Sequence, residues 1–96
     1  MRQQADRARA TVVISGRVQG VFFRATTRQK ARELRVTGWV RNRRDGKVEA
    51  AFEGPRDRVQ QIVSWCHRGP RSAVVESVDV DWQEPTGEFS DFSVRF

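Results

Sequence analysis

Apolar and polar positions alternate over residues 11 to 18. Val12 and Ile14 share one face and Val13 and Ser15 the other, the two-residue period of a strand, with Gly16 marking its end. From residue 23 to 34 the period lengthens. Phe23, Thr27, Ala31 and Leu34 fall at i, i+4, i+8 and i+11 with Arg28, Lys30, Arg32 and Glu33 between them, which predicts an amphipathic helix. Residues 36 to 43 and 47 to 53 return to strand patterns around Asp45-Gly46, a dipeptide that tolerates the positive φ of a tight hairpin turn. On the second of these strands Val48, Ala50 and Phe52 are expected to face the core, and Glu49, Ala51 and Glu53 water. Pro55 and Asp57 suit the start of a second helix. Val59, Ile62, Val63 and Cys66 make its buried stripe, and Gly69-Pro70 ends it. A fourth strand over residues 74 to 82 alternates through Val78, Val80 and Trp82, with Glu76, Asp79 and Asp81 turned outward. After the turn signals Pro85 and Gly87, Phe92, Val94 and Phe96 line one face of a short last strand.

The order is β-α-β-β-α-β with a small extra strand. It predicts an α+β fold of the ferredoxin-like split βαβ type, an antiparallel sheet carrying both helices on one face. The sheet position of the last strand is left open. In this topology the first two strands run the same way, so the loop after strand one and the end of strand two lie at the same edge. The chain of 96 residues suits one compact domain. Residues 1–9 are polar and without periodicity, so they are expected to form a disordered basic leader ahead of a domain over 10–96.

Composition narrows the function classes. No apolar run nears the roughly 18 residues of a membrane span, and no apolar stretch of signal-peptide length follows the first basic residues. The expectations are no membrane partner and a cytoplasmic location. The single Cys66 has no partner for a disulfide, and no Cys/His spacing points to a metal. A net charge of +6 favours phosphate-bearing partners, large or small. The arginines are scattered from Arg2 to Arg95, however, without the block expected of a nucleic-acid footprint.

Two stretches carry candidate chemistry. The first is "GRVQGVFFR", residues 16 to 24. A strand, a glycine-flanked loop and a helix start give a cradle of N–H groups backed by the positive end of the helix dipole, suited to a phosphate-sized anion. The loop comprises Gly16, Arg17, Val18, Gln19, Gly20, Val21, Phe22 and Phe23, and its glycines permit close backbone approach. Arg24 is a cation in the first helical turn, where the dipole disfavours one, so it points to a bound anion that its planar fork would grip. The competing reading is a glycine turn beside a solvated arginine. The second stretch is "GWVRN", which puts Asn42 at the end of strand two. Asparagine is a poor strand residue. It either favours the turn that follows, or its amide orients a water beside a bound phosphorus. Alternation turns Arg41 to the opposite face. Cys66 and His67, at the end of helix two, read as a core thiol and exposed polarity rather than catalysts.

"GRVQGVFFR" followed by "GWVRNRRDGKVE", with "GP" and "AVV" after helix two and the terminal "FSVRF", resembles the acylphosphatases over residues 10–96. These are small enzymes that hydrolyse the carboxyl-phosphate mixed anhydride. The resemblance implies that Arg24 binds phosphate, Asn42 orients water, and residues 16–23 form the phosphate loop. It implies an acyl phosphate substrate, inorganic phosphate or sulfate as product-like ligands, no cofactor, no metal and a monomer. Rival readings are an RNA- or small-anion-binding module of the same fold. The outward positions Thr11, Val13, Ser15, Glu49, Ala51 and Glu53 offer no aromatic platform for bases, so no nucleic-acid partner is expected. A related domain heads larger carbamoyl-transfer maturation proteins. Without Cys-rich segments after Phe96, the free-standing enzyme is expected.

Overall fold

A computed structural model describes residues 6–96. The elements, in order, are β1 (Arg7–Arg17), α1 (Phe23–Glu33), β2 (Thr37–Asn42), β3 (Val48–Pro55), α2 (Arg56–Cys66), β4 (Val74–Gln83) and β5 (Phe92–Arg95). The sheet order is β4-β1-β3-β2-β5. The four longer strands pair antiparallel, in the ferredoxin-like arrangement. β5 adds at the β2 edge and runs parallel to it, with Phe92 opposite Gly38 and Val94 opposite Val40. That is the position the sequence left open.

The core lies between the sheet and both helices. Val12, Ile14, Val40, Val48, Ala50 and Phe52 from the sheet meet Phe23 and Ala31 of α1 and Val59, Ile62 and Cys66 of α2. The predicted stripe of α2 is buried as read, and Trp65 joins it, with its ring centroid 5.5 Å from that of Phe23. Phe92 stacks on Phe52 at 5.7 Å, which fastens β5 to the same core.

Three expectations are corrected. First, β1 begins at Arg7, so residues 7 to 9, assigned to the leader, belong to the sheet. Ala8 pairs with Gly54 and is buried. The inward side chains at this end are alanines, whose weak hydrophobicity hid the alternation. The rest of the leader, residues 1–5, lies outside the described residues. Second, the outer face of β3 is not uniformly wet, because Ala51 and Glu53 are buried. The chain after β4 folds back over Glu53. Glu53 accepts hydrogen bonds from the backbone N–H groups of Thr86 (2.8 Å) and Gly87 (2.6 Å) and from the Thr86 hydroxyl (3.2 Å). The Arg9 guanidinium lies 3.7 Å from the same carboxylate. Third, Trp82 and Phe96 are exposed. Trp82 sits under the Arg56 guanidinium, and Phe96 lies one residue beyond the end of β5.

Candidate active site

β1 and β2 both pair with β3, and Ile14 and Asn42 both stand opposite Val48. The end of β2 and the loop that leaves β1 therefore meet at one edge of the sheet. Gln19 locks them together. Its amide donates to the carbonyls of Arg43 (2.7 Å) and Lys47 (2.9 Å), so the loop is clipped to the β2–β3 hairpin next to Asn42.

The loop is held at both ends by the buried side chains of Val18 and Phe23. Between them Gly20 has φ 73° with open space where a Cβ would stand, so the backbone itself borders the cavity. Phe22 is left-handed too, at φ 62°, immediately before α1, and is 79% exposed. A non-glycine residue there costs about 1 kcal/mol, and strain of this kind collects at functional sites. The Phe22 carbonyl accepts from the backbone N–H (3.0 Å) and the hydroxyl (2.8 Å) of Thr26. No side chain caps α1, and its first turn holds no acid. The first-turn N–H groups, which have no partner within the helix, are therefore left to a ligand or water.

Arg24 and Asn42 line one cavity of about 510 Å³. Val18, Gly20, Phe22 and Phe23 form its loop side, Ala25 and Arg28 continue along α1, and Val94 and the exposed Phe96 line it at the β5 end. The Arg24 guanidinium lies 4.8 Å from the centroid of the Phe96 ring, a cation–π contact that steadies it across the opening. Arg41 points away, bonded twice to Glu49 Oε1 at 3.0 and 2.7 Å on the other face. Strand alternation alone separates the two neighbours.

Gly16, Arg17, Gln19 and Val21 are not among the lining residues. The glycine at position 16 is required by the neighbouring strand. It sits at a bulge in the β1–β4 pairing with φ 127°, and a Cβ there would stand 2.2 Å from the Val74 carbonyl oxygen. Arg17 ends β1 opposite Val74, and Val21 packs on the core. Ala25, Arg28, Val94 and Phe96 line the cavity without having been singled out from the sequence. Ala25 and Arg28 were legible as neighbours of Arg24 on α1, but Val94 and Phe96 depend on where β5 joins the sheet.

Cys66 and His67 line no part of the cavity. Burial pushes the Cys66 thiol up to about 12, which leaves no thiolate at neutral pH. His67 Nδ1 is 3.1 Å from the Val63 carbonyl oxygen of its own helix. Among the described residues no group of three or more His, Cys, Asp or Glu side chains could hold a metal ion, and no helix is long and apolar enough to cross a membrane.

A cation and an amide thus line one cavity beside an uncapped helix start in a small α+β domain, an arrangement chemically suited to an anion. Known proteins make the class specific. The Acylphosphatase family model matches residues 10–94. The chain is 63% identical over 89 residues to an acylphosphatase of Roseiflexus sp. (strain RS-1), covering 93% of this chain and 96% of that one. It is 58% identical over 91 residues to one of Pelotomaculum thermopropionicum, covering 95% and 99%. Among solved structures, an acylphosphatase from Coxiella burnetii superposes with a TM-score of 0.91 at 39% identity over 99% of both chains. The chain belongs to the acylphosphatase family.

Proposed function

We propose that the chain hydrolyses acyl phosphates to a carboxylate and inorganic phosphate by in-line attack of water on phosphorus. The observation that carries this reading is that Arg24, on α1, and Asn42, at the end of β2, line the same cavity. The phosphoryl group sits against the loop of residues 16–23, with N–H groups of the loop and first turn and the Arg24 guanidinium on its oxygens. The Asn42 amide accepts from and orients the attacking water opposite the leaving carboxylate.

The chemistry asks little more. Water oxygen forms a new bond to phosphorus as the phosphorus–carboxylate bond breaks, and the carboxylate departs as a weak base that needs no proton. Among the described residues the cavity lining has no carboxylate, imidazole or thiol side chain, which agrees with a reaction that uses charge stabilisation and positioning instead of acid–base or covalent catalysis. The water proton leaves to phosphate or bulk solvent. On this reading the enzyme needs no metal or cofactor and acts on a small substrate, with inorganic phosphate or sulfate as product-like ligands. It works as a cytoplasmic monomer without a nucleic-acid or membrane partner.

Phosphate release from benzoyl phosphate tests the assignment. Arg24→Ala is expected to lower kcat/KM on the order of 10³-fold, because it removes the main charge clamp on the transferring group. Asn42→Ala is expected to lose on the order of 10²-fold in kcat with KM less changed, because its contact is to the water. Hydrolysis at the unsubstituted rate by both variants would overturn the mechanism.

A further inference from the structure

We propose that Arg28 makes this site selective for acyl phosphates whose acyl group carries a carboxylate. The inference rests on the hydrolase reading above and adds the class of substrate to it. Arg24 and Arg28 stand one helical turn apart and line the same cavity, so their α-carbons are separated by about 6 Å along α1. Like charges at this spacing repel each other on a bare helix, and two anions held at once would relieve the repulsion. Arg24 is accounted for by the phosphoryl group and by the Phe96 ring at 4.8 Å. The next arginine along the same face, Arg32, is engaged by Asp91 at 3.1 Å and by the Phe92 carbonyl at 3.3 Å. Arg28 lies between them, exposed; after the Phe92 N–H and Arg32, its charge helps to hold the Asp91 carboxyl below its ordinary value, but it makes no ion pair or hydrogen bond at contact distance to a described residue.

The cavity that both arginines line suits a short carbon frame. Ala25, Val94 and the Phe96 ring give it apolar walls. A substrate that leaves its phosphoryl group with Arg24 lays its acyl carbons along these walls and brings its far end to Arg28. A carboxylate at that end meets a planar fork that can bind both oxygens, while a neutral end gains nothing from the charge.

A matched substrate pair reads this directly. 4-Carboxybenzoyl phosphate and 4-carbamoylbenzoyl phosphate have the same outline and differ in the charge of the distal group. The ratio of their kcat/KM values is expected to favour the carboxylate in the unsubstituted chain. It is expected to fall about five- to tenfold in Arg28→Gln, the loss one partly exposed charge-assisted contact would cause, mainly through KM. Arg28→Lys should keep part of the preference and Arg28→Glu should reverse it. A ratio that is the same in the unsubstituted chain and all three variants would overturn the proposal. So would an equal loss on both substrates in Arg28→Gln. If the unsubstituted chain releases phosphate from benzoyl phosphate but from neither of these compounds, this inference alone fails; if it releases phosphate from none of the three, the hydrolase reading fails and this inference falls with it.

Discussion

Glu53 is a carboxylate in a strand that would be half wet if the chain after β4 did not return across it. Glu53→Ala removes the acceptor of three hydrogen bonds, from the N–H groups of Thr86 and Gly87 at 2.8 and 2.6 Å and the Thr86 hydroxyl at 3.2 Å. It also strips the Arg9 guanidinium, only 16% exposed, of its buried counter-charge. Bonds to a charged acceptor contribute about 1 kcal/mol or more each, and Thr86 and Gly87 can recover water once released, so the sum is about 3 kcal/mol. That is a large share of the roughly 5–15 kcal/mol that holds such a domain together. Glu53→Gln keeps one acceptor oxygen for the two backbone donors but loses the charge and puts an NH2 in place of Oε1, which faces the Thr86 hydroxyl and Arg9, so about half or more of that cost is expected. Urea unfolding followed by tryptophan fluorescence gives both values, and hydrogen exchange at the Thr86 and Gly87 amides reports whether the returning segment has lifted. If Glu53→Ala shifts stability by less than about 0.5 kcal/mol, the returning segment is not held by this carboxylate and the reasoning fails.

Three further outcomes are expected. The Cys66 thiol, held near 12 by burial, should resist a thiol reagent in the folded chain at pH 8 and react on unfolding. Its ordinary value is 9.0, so above that pH the unfolded thiol ionises while the folded one does not. Stability should therefore fall with rising pH between about 9 and 12, by about 1.4 kcal/mol per unit at most, and Cys66→Ala should remove that slope. Arg35 follows α1 with φ 58°, so Arg35→Gly should raise stability by about 0.5–1 kcal/mol in urea melts, because glycine takes that conformation without strain. Gln19→Ala, which frees the loop from the hairpin carbonyls, should lower kcat/KM for benzoyl phosphate about tenfold or more while costing about 1 kcal/mol of stability.

The split βαβ order was legible because each long element has a clean period. Val12 and Ile14, then Phe23, Thr27 and Ala31, then Val59, Ile62 and Cys66 are all buried where the pattern placed them. Elements whose burial depends on distant chain were not legible. Alanines at positions 8 and 10 make a weak strand signal, and Glu53 reads as a surface acid until the returning turn covers it. The site divides along the same line. Asn42 and Arg41 separate by alternation, and Arg24 stands at a helix start that local sequence predicts. The loop showed itself as glycine-flanked, yet its first glycine serves the contact with Val74 in β4, which only the sheet order reveals. Phe96 stands at the cavity because β5 joins beside β2, a pairing four residues long that no local pattern specifies.

In the proposed reaction water attacks phosphorus while Arg24 and the loop hold the phosphoryl oxygens. Hydrolysis of benzoyl phosphate in ¹⁸O-labelled water, with both products analysed by mass spectrometry, locates the bond that water makes. The label is expected in inorganic phosphate and not in benzoate. Label in the benzoate carboxylate would show that water attacks the acyl carbon, and would contradict the roles given to Arg24 and Asn42.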